Sequence, residues 1–273
     1  MKKLKSMLTE IQNLCREKSF DKALGIIDNV ESEMRQWREP LSDEQKRMKF
    51  YFFFAKGNVF NHKGAYSNPF LTFLKGYYAN ALESYLSAEN VWKSLSTITP
   101  EDEKDYFDLL SNTGALYLHM NSEKAHDPLC AAADYYEKLI ETPQGVNFKS
   151  NYARILCNLG RYFAEIDRDY TEAQYWQLQA VKVYQQLCER DGAYTNQLAW
   201  AYHQLGCSSH LGNKTEHAVS CLKISLSLRM KMIEQNKELV PVLAQDIQRT
   251  ASFLKELDKE NEEFYSKLLA SLE

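Results

Sequence analysis

The sequence predicts an all-α chain of stacked helical hairpins, and three observations lead there. Only 10 Gly and 6 Pro occur in 273 residues, too few turn-formers to punctuate the short strands of a sandwich or barrel. Leu, Glu, Lys and Ala are the four commonest residues, and these side chains lose little rotamer freedom in a helix. A small residue flanked by bulky ones recurs along the chain at intervals of several helical turns.

Taken in order, the pattern divides the chain into five units and an end cap. The first unit, about 1–40, carries Phe20, Ala23 and Leu24, with Ile27 and Val30 behind them. The second, 41–98, has Phe53, Gly57 and Phe60, answered by Ala81, Tyr85 and Ala88. An insertion at 63–76 interrupts it: Gly64, Asn68-Pro69 and Gly76 mark a loop, and its Tyr66, Phe70, Leu71 and Phe73 are apolar enough to fold back on the helices. The third, 101–145, uses Leu110, Gly114 and Tyr117, then Ala132, Tyr136 and Leu139, and Pro143 closes it. The fourth, 147–191, uses Leu156, Leu159, Gly160 and Phe163, then Ala173 and Ala180. The fifth, 194–237, reads Tyr202, Leu205 and Gly206, then Ala218 and Leu222. From 238 to 273, Leu243, Ile247, Ala251, Leu254 and Leu257, followed by Tyr265, Leu268, Leu269 and Leu272, give two further helical stripes. No Pro/Gly-rich linker separates the units, so a single continuous domain is expected.

These residues resemble the tetratricopeptide repeat: a bulky residue, Leu-Gly and an aromatic on the first helix, with Ala and a large residue four apart on the second. Ser209 stands where that aromatic is expected. Gly57 to Gly114 spans 57 residues, and Gly114 to Gly160 and Gly160 to Gly206 span 46 each, beyond the usual ~34. Longer helices follow, as in long-repeat members of the family. The resemblance implies a right-handed superhelical solenoid, capped at 238–273, whose first helices form a concave wall. Gly57, Gly114, Gly160 and Gly206 are then where a first helix crosses its partner closely, at Ala81, Ala132, Ala173 and Ala218.

Little suggests chemistry. No His-Glu-x-x-His, phosphate-cradling Gly-rich loop or Gly-x-Ser-x-Gly elbow occurs, so no catalytic residue, cofactor or metal is expected. His203, His210 and His217 fall at intervals of seven, about 10.5 Å along one helix, too far apart to share an ion. Acidic clusters such as Glu101-Asp102-Glu103 suit helix starts. A net charge of −4 without a basic block argues against nucleic acid, and the 17 Tyr and 13 Phe fall mostly at packing positions rather than on a base-stacking surface. The run Phe50–Ala55 is far short of a membrane span. Polar Thr9, Glu10, Gln12 and Asn13 follow the basic start where an export signal would be apolar. Six scattered cysteines without a Cys-x-x-Cys pair read as packing residues in a reducing compartment, and the cytoplasm is expected.

The expected function is to hold a protein or peptide, with an architectural or self-associating scaffold and a ligand or signalling-peptide receptor as alternatives. Candidate groove residues are Asn58, Asn112, Arg154, Asn158, Arg161 and His203, placed near the repeat glycines. Asn is a poor mid-helix residue because its amide competes for backbone hydrogen bonds, so three of them there invite another explanation. Asn58, Asn112 and Arg154 also resemble three places of the clamp with which some tetratricopeptide domains grip a carboxylate. Phe54 and Asn158 stand where that clamp has basic residues. A looser role follows, with Asn amides pairing to an extended backbone and Arg154 or Arg161 meeting an acidic group.

Overall fold

The computed structural model of the chain describes residues 2–66 and 74–271, in which there are twelve α-helices and no strand. The chain is all-α, built from helical hairpins, as its composition and repeats predict. Each of the ranges 1–40, 41–98, 101–145, 147–191, 194–237 and 238–273 holds two α-helices. The expected fold-back of the insertion rests on side chains outside the described residues. Two of its supposed loop markers do not open a loop: Gly64 lies in the helix ending at Tyr66 and Gly76 in the helix beginning at Leu74. Gly64 is there for close packing, because a Cβ on it would come within 2.8 Å of the Tyr78 ring, whereas Gly76 has nothing within 4 Å of its would-be Cβ.

The chain divides into two compact units, Met1–Met120 and Asn121–Glu273. In the first are α1 (Lys2–Arg16), α2 (Phe20–Met34), α3 (Asp43–Tyr66), α4 (Leu74–Lys93) and α5 (Pro100–His119). Leu4, Leu8 and Ile11 repeat at helical spacing on α1 and pack with Ala23, Ile27 and Val30 of α2 and with Met48, Phe52 and Val59 of α3. The opposite side of α3 sends Phe50 toward Ala81, Tyr85 and Ala88 of α4 and Leu109 and Leu116 of α5. Serving two clusters explains the aromatic run Phe50–Phe54, since a helix buried on both sides needs apolar residues around most of its circumference. Each such fully buried Leu or Ile contributes roughly 1.5–3 kcal/mol. Thr99 caps α5 in a capping box with Asp102, with Pro at the first helical position.

The second unit holds α6 (His126–Ile140), α7 (Lys149–Tyr162), α8 (Tyr170–Cys188), α9 (Thr195–Leu211), α10 (Thr215–Gln235), α11 (Val240–Leu257) and α12 (Glu262–Ala270). A wide π-type turn, Phe163–Asp167, extends α7. Small residues let the hairpins close. A Cβ on Gly160 would lie 3.1 Å from the Ala173 carbonyl and 2.4 Å from Gln177, and one on Gly206 would lie 3.2 Å from the Ala218 carbonyl. In the first unit, Gly57 meets the Tyr85 ring in the same way, with 2.4 Å left for a Cβ. Gly114 and Ala132 are both buried in their own helices. Leu243, Ile247 and Leu254 of α11 and Tyr265 of α12 cover Leu222 and Leu226 of α10.

Four turns share a feature that the sequence conceals at two of them, Lys18 and Arg168. Lys18, Asn121, Arg168 and Asn213, which follow α1, α5, α7 and α9, all have positive φ, between 52° and 61°. After Lys18 and Asn213 the next amide reaches back five residues, Ser19 to Leu14 and Lys214 to Ser209, each at 2.8 Å. That bond with a left-handed residue before it ends a helix cleanly and reverses the chain. No helix among the described residues is long and apolar enough to cross a membrane.

Candidate functional site

A groove runs between α1 and α3 in the first unit, as two clefts that share Gln12. The first, about 400 Å³, is bordered by Gln12, Cys15, Arg16 and Lys18 from α1 and the turn after it, and by Asn58 and His62 from α3. The second, about 520 Å³, has Leu8 and Met48 as its apolar floor and Lys5, Glu44, Arg47 and Glu101 around it.

Asn58 is fixed by its neighbours. Its Oδ1 accepts hydrogen bonds from the Tyr85 hydroxyl at 2.7 Å and from Asn112 Nδ2 at 3.0 Å. Two of the six candidate residues are thus in direct contact, on α3 and α5, with Tyr85 of α4 completing the arrangement. With the carbonyl oxygen doubly occupied, the group that Asn58 can still offer the cleft is its amide N–H pair. Arg16 contacts Asn13, a neutral amide, at 3.3 Å, so its charge is not compensated there. No acidic side chain lines this first cleft among the described residues. Burial pushes the Cys15 thiol above its usual range, so it remains neutral.

In the second cleft, Arg47 lies across Asp102, its Nε 2.8 and 2.9 Å from the two carboxylate oxygens, while its Nη2 donates to the Thr97 carbonyl at 2.9 Å. Burial raises the Asp102 carboxyl, but the bonds from Arg47 and Thr99 outweigh it and hold the group below the usual carboxylate range. Tyr51 donates to Asp105 at 2.9 Å. Arg47 and Asp102 neutralise one another, which leaves Glu44 and Glu101 against Lys5. Neither glutamate has an ion-pair partner among the described residues.

The other candidates lie in the second unit. Arg154 is exposed and Asn158 half-buried on α7. Arg161 is committed to Glu165, which it meets through two bonds of 3.0 and 3.1 Å. His203 is not a groove residue: it is 4% exposed, its ring stacks on Trp200, and both ring nitrogens meet side chains of the protein, Thr250 at 3.0 Å and Cys207 at 3.5 Å. The position three before Gly206 faces α11, which covers it. Burial, aided by the charges of Arg229 and Arg249, lowers the imidazole to about 4, so it is neutral near pH 7.

Sequence reasoning missed several groups. Gln12 and Arg16 border the groove from the repeat that matches least well. Arg229 is fully buried in α10, donating to Asn196 at 3.1 Å and Ser225 at 2.8 Å and lying 3.5 Å from Asp246. Its signal was available, since Arg229 falls on the same stripe as Leu222 and Leu226. Ser209, in place of the expected aromatic, is also fully buried and stands 2.9 Å from His217 Nδ1. The hydroxyl donates to Leu205 O at 2.7 Å, so it accepts from the imidazole and ties α9 to α10 with a polar contact. No group of three or more metal-ligating side chains occurs among the described residues.

No protein-family model matches the sequence, and no curated protein matches it. Solved structures do. The chain is similar to BtubC (BKLC) from P. vanneervenii, with a TM-score of 0.61 and 17% identity over 84% of this chain and 82% of that one. It is similar to the apo form of RapI, with a TM-score of 0.58 and 12% identity over 98% of this chain and 76% of that one. NprR, solved in complex with its cognate peptide NprX, gives a TM-score of 0.55 and 11% identity over 99% of this chain and 78% of that one. At such identities the likeness shows the fold: a tetratricopeptide-like repeat of helical hairpins.

Proposed function

We propose that the protein binds an extended peptide segment without transforming it, and that the α1/α3 groove of the first unit is where the segment lies. The observation that carries this reading is Asn58, whose oxygen is held by Tyr85 and Asn112 so that its amide N–H groups are set beside an open cleft. A donor aligned before the ligand arrives loses little freedom on binding, and a peptide backbone supplies the matching carbonyls. The fold shared with NprR, a protein solved with its cognate peptide, supports the same reading. All six cysteines are free thiols, which fits work in the cytoplasm.

Selection from a phage-displayed library of random decapeptides tests this. Wild-type protein should enrich discrete sequences. Gln12→Trp, an exposed substitution that fills the groove where the two clefts meet, should weaken the synthetic versions tenfold or more while leaving helicity by circular dichroism unchanged. Equal affinity for the Gln12→Trp protein would remove the groove as the site.

A further inference from the structure

The two ends of the α1/α3 groove differ in charge, and this assigns a polarity to what it holds. Arg16 stands at one end, beside the N–H groups of Asn58, in a cleft with no acidic side chain among its described residues. At the other end, Glu44 and Glu101 rim an apolar floor of Leu8 and Met48, opposed by Lys5 alone once Arg47 is neutralised by Asp102. An apolar floor below two carboxylates suits a Lys or Arg side chain, which buries its methylenes and keeps its charged head at the rim. The opposite end, made of donors and positive charge, suits a carboxylate.

The spacing follows from α3. Glu44 and Asn58 are fourteen residues apart, about 21 Å along a helix, a distance an extended peptide covers in about six residues. We infer that the groove takes an extended segment with a basic residue at the Glu44/Glu101 end and an acidic residue or terminal carboxylate about six positions away at the Arg16 end. This rests on the peptide-binding reading and names the chemistry of its ligand.

The decapeptides selected on the wild-type protein, resynthesised and measured by fluorescence polarisation, test the inference. They should carry Lys or Arg and Asp or Glu five to seven positions apart, and exchanging the two charges within a peptide should weaken binding at least tenfold. A protein with its ends reversed (Arg16→Glu, Glu44→Lys, Glu101→Lys), checked for unchanged helicity, should prefer the exchanged peptide. Peptides that bind without such a pattern, or bind equally after exchange, overturn the polarity and leave peptide binding standing. A selection that enriches nothing overturns both.

Discussion

His203 Nδ1 lies 3.0 Å from Thr250 Oγ1 and ties α9 to α11. Thr250 donates its own proton to the Asp246 carbonyl at 2.8 Å, so towards the ring it can only accept, and His203 carries its proton on Nδ1. The bare Nε2 then accepts from the thiol of Cys207, which burial raises to about 11 and therefore keeps protonated. The arrangement is complete only while the imidazole is neutral.

Acid should therefore loosen the second unit before its carboxylates titrate. The folded-state value of His203, about 4, lies below its ordinary 6.5, so the stabilisation is fully present above pH 6.5 and is lost as pH falls from 6.5 towards 4. The loss reaches about 2 kcal/mol by pH 5 and about 3 kcal/mol at its limit. Urea unfolding at pH 7.5 and pH 5 reads it directly, and His203→Gln should remove most of the difference. An unchanged difference in that variant would assign the acid sensitivity to other groups.

The tight crossing at Gly160 should not tolerate a methyl group. Gly160→Ala brings a Cβ against the Ala173 carbonyl, a backbone atom that cannot step aside alone, and is expected to cost about 1–3 kcal/mol. Gly25, exposed in the middle of α2 with nothing within 4 Å of its would-be Cβ, is the control. Gly25→Ala should stabilise by about 0.5–1 kcal/mol. Chemical denaturation midpoints of the two variants should move in opposite directions.

Removing Asp102 should cost more than removing an ordinary helix cap. Its carboxylate closes the capping box of α5 and also answers Arg47, while being only 5% exposed. Asp102→Ala is expected to destabilise by about 2–4 kcal/mol, against about 1 kcal/mol for Thr99→Ala, which removes one capping oxygen. Similar losses for the two variants would show that the Arg47 contact adds nothing.

Much of this fold can be read in the sequence because the close crossings demand small side chains: Gly57, Gly160 and Gly206 are visible as residue types wherever they occur. Asn58 and Asn112 were legible for the opposite reason, being unfavourable in helices unless something else employs them. The groove was harder to see. Gln12, Arg16 and Glu44 look like any solvated helix face, and only the distance between α1 and α3 turns them into the border of a cleft. The turns at Lys18 and Arg168 were concealed too, since neither residue type favours positive φ and the conformation is imposed by the helices that flank it. His203 misled because a polar residue near a repeat glycine looks like a groove residue until α11 is laid over it.

Gln177 offers a final prediction, at the crossing where Gly160 makes room for it. The side chain is fully buried, its Cγ lies against Gly160, and neither its amide oxygen nor its nitrogen has a hydrogen-bond partner among the described residues. A buried amide loses its bonds to water on folding, and without replacements the cost is about 1–3 kcal/mol. Methionine has nearly the same length and flexibility and carries no such groups. Gln177→Met should therefore raise the stability of the second unit by about 1 kcal/mol or more, seen as a higher urea midpoint with an unchanged slope. Destabilisation by Gln177→Met would mean that the amide has partners in solution, and amide hydrogen exchange across α7 and α8 would then locate them.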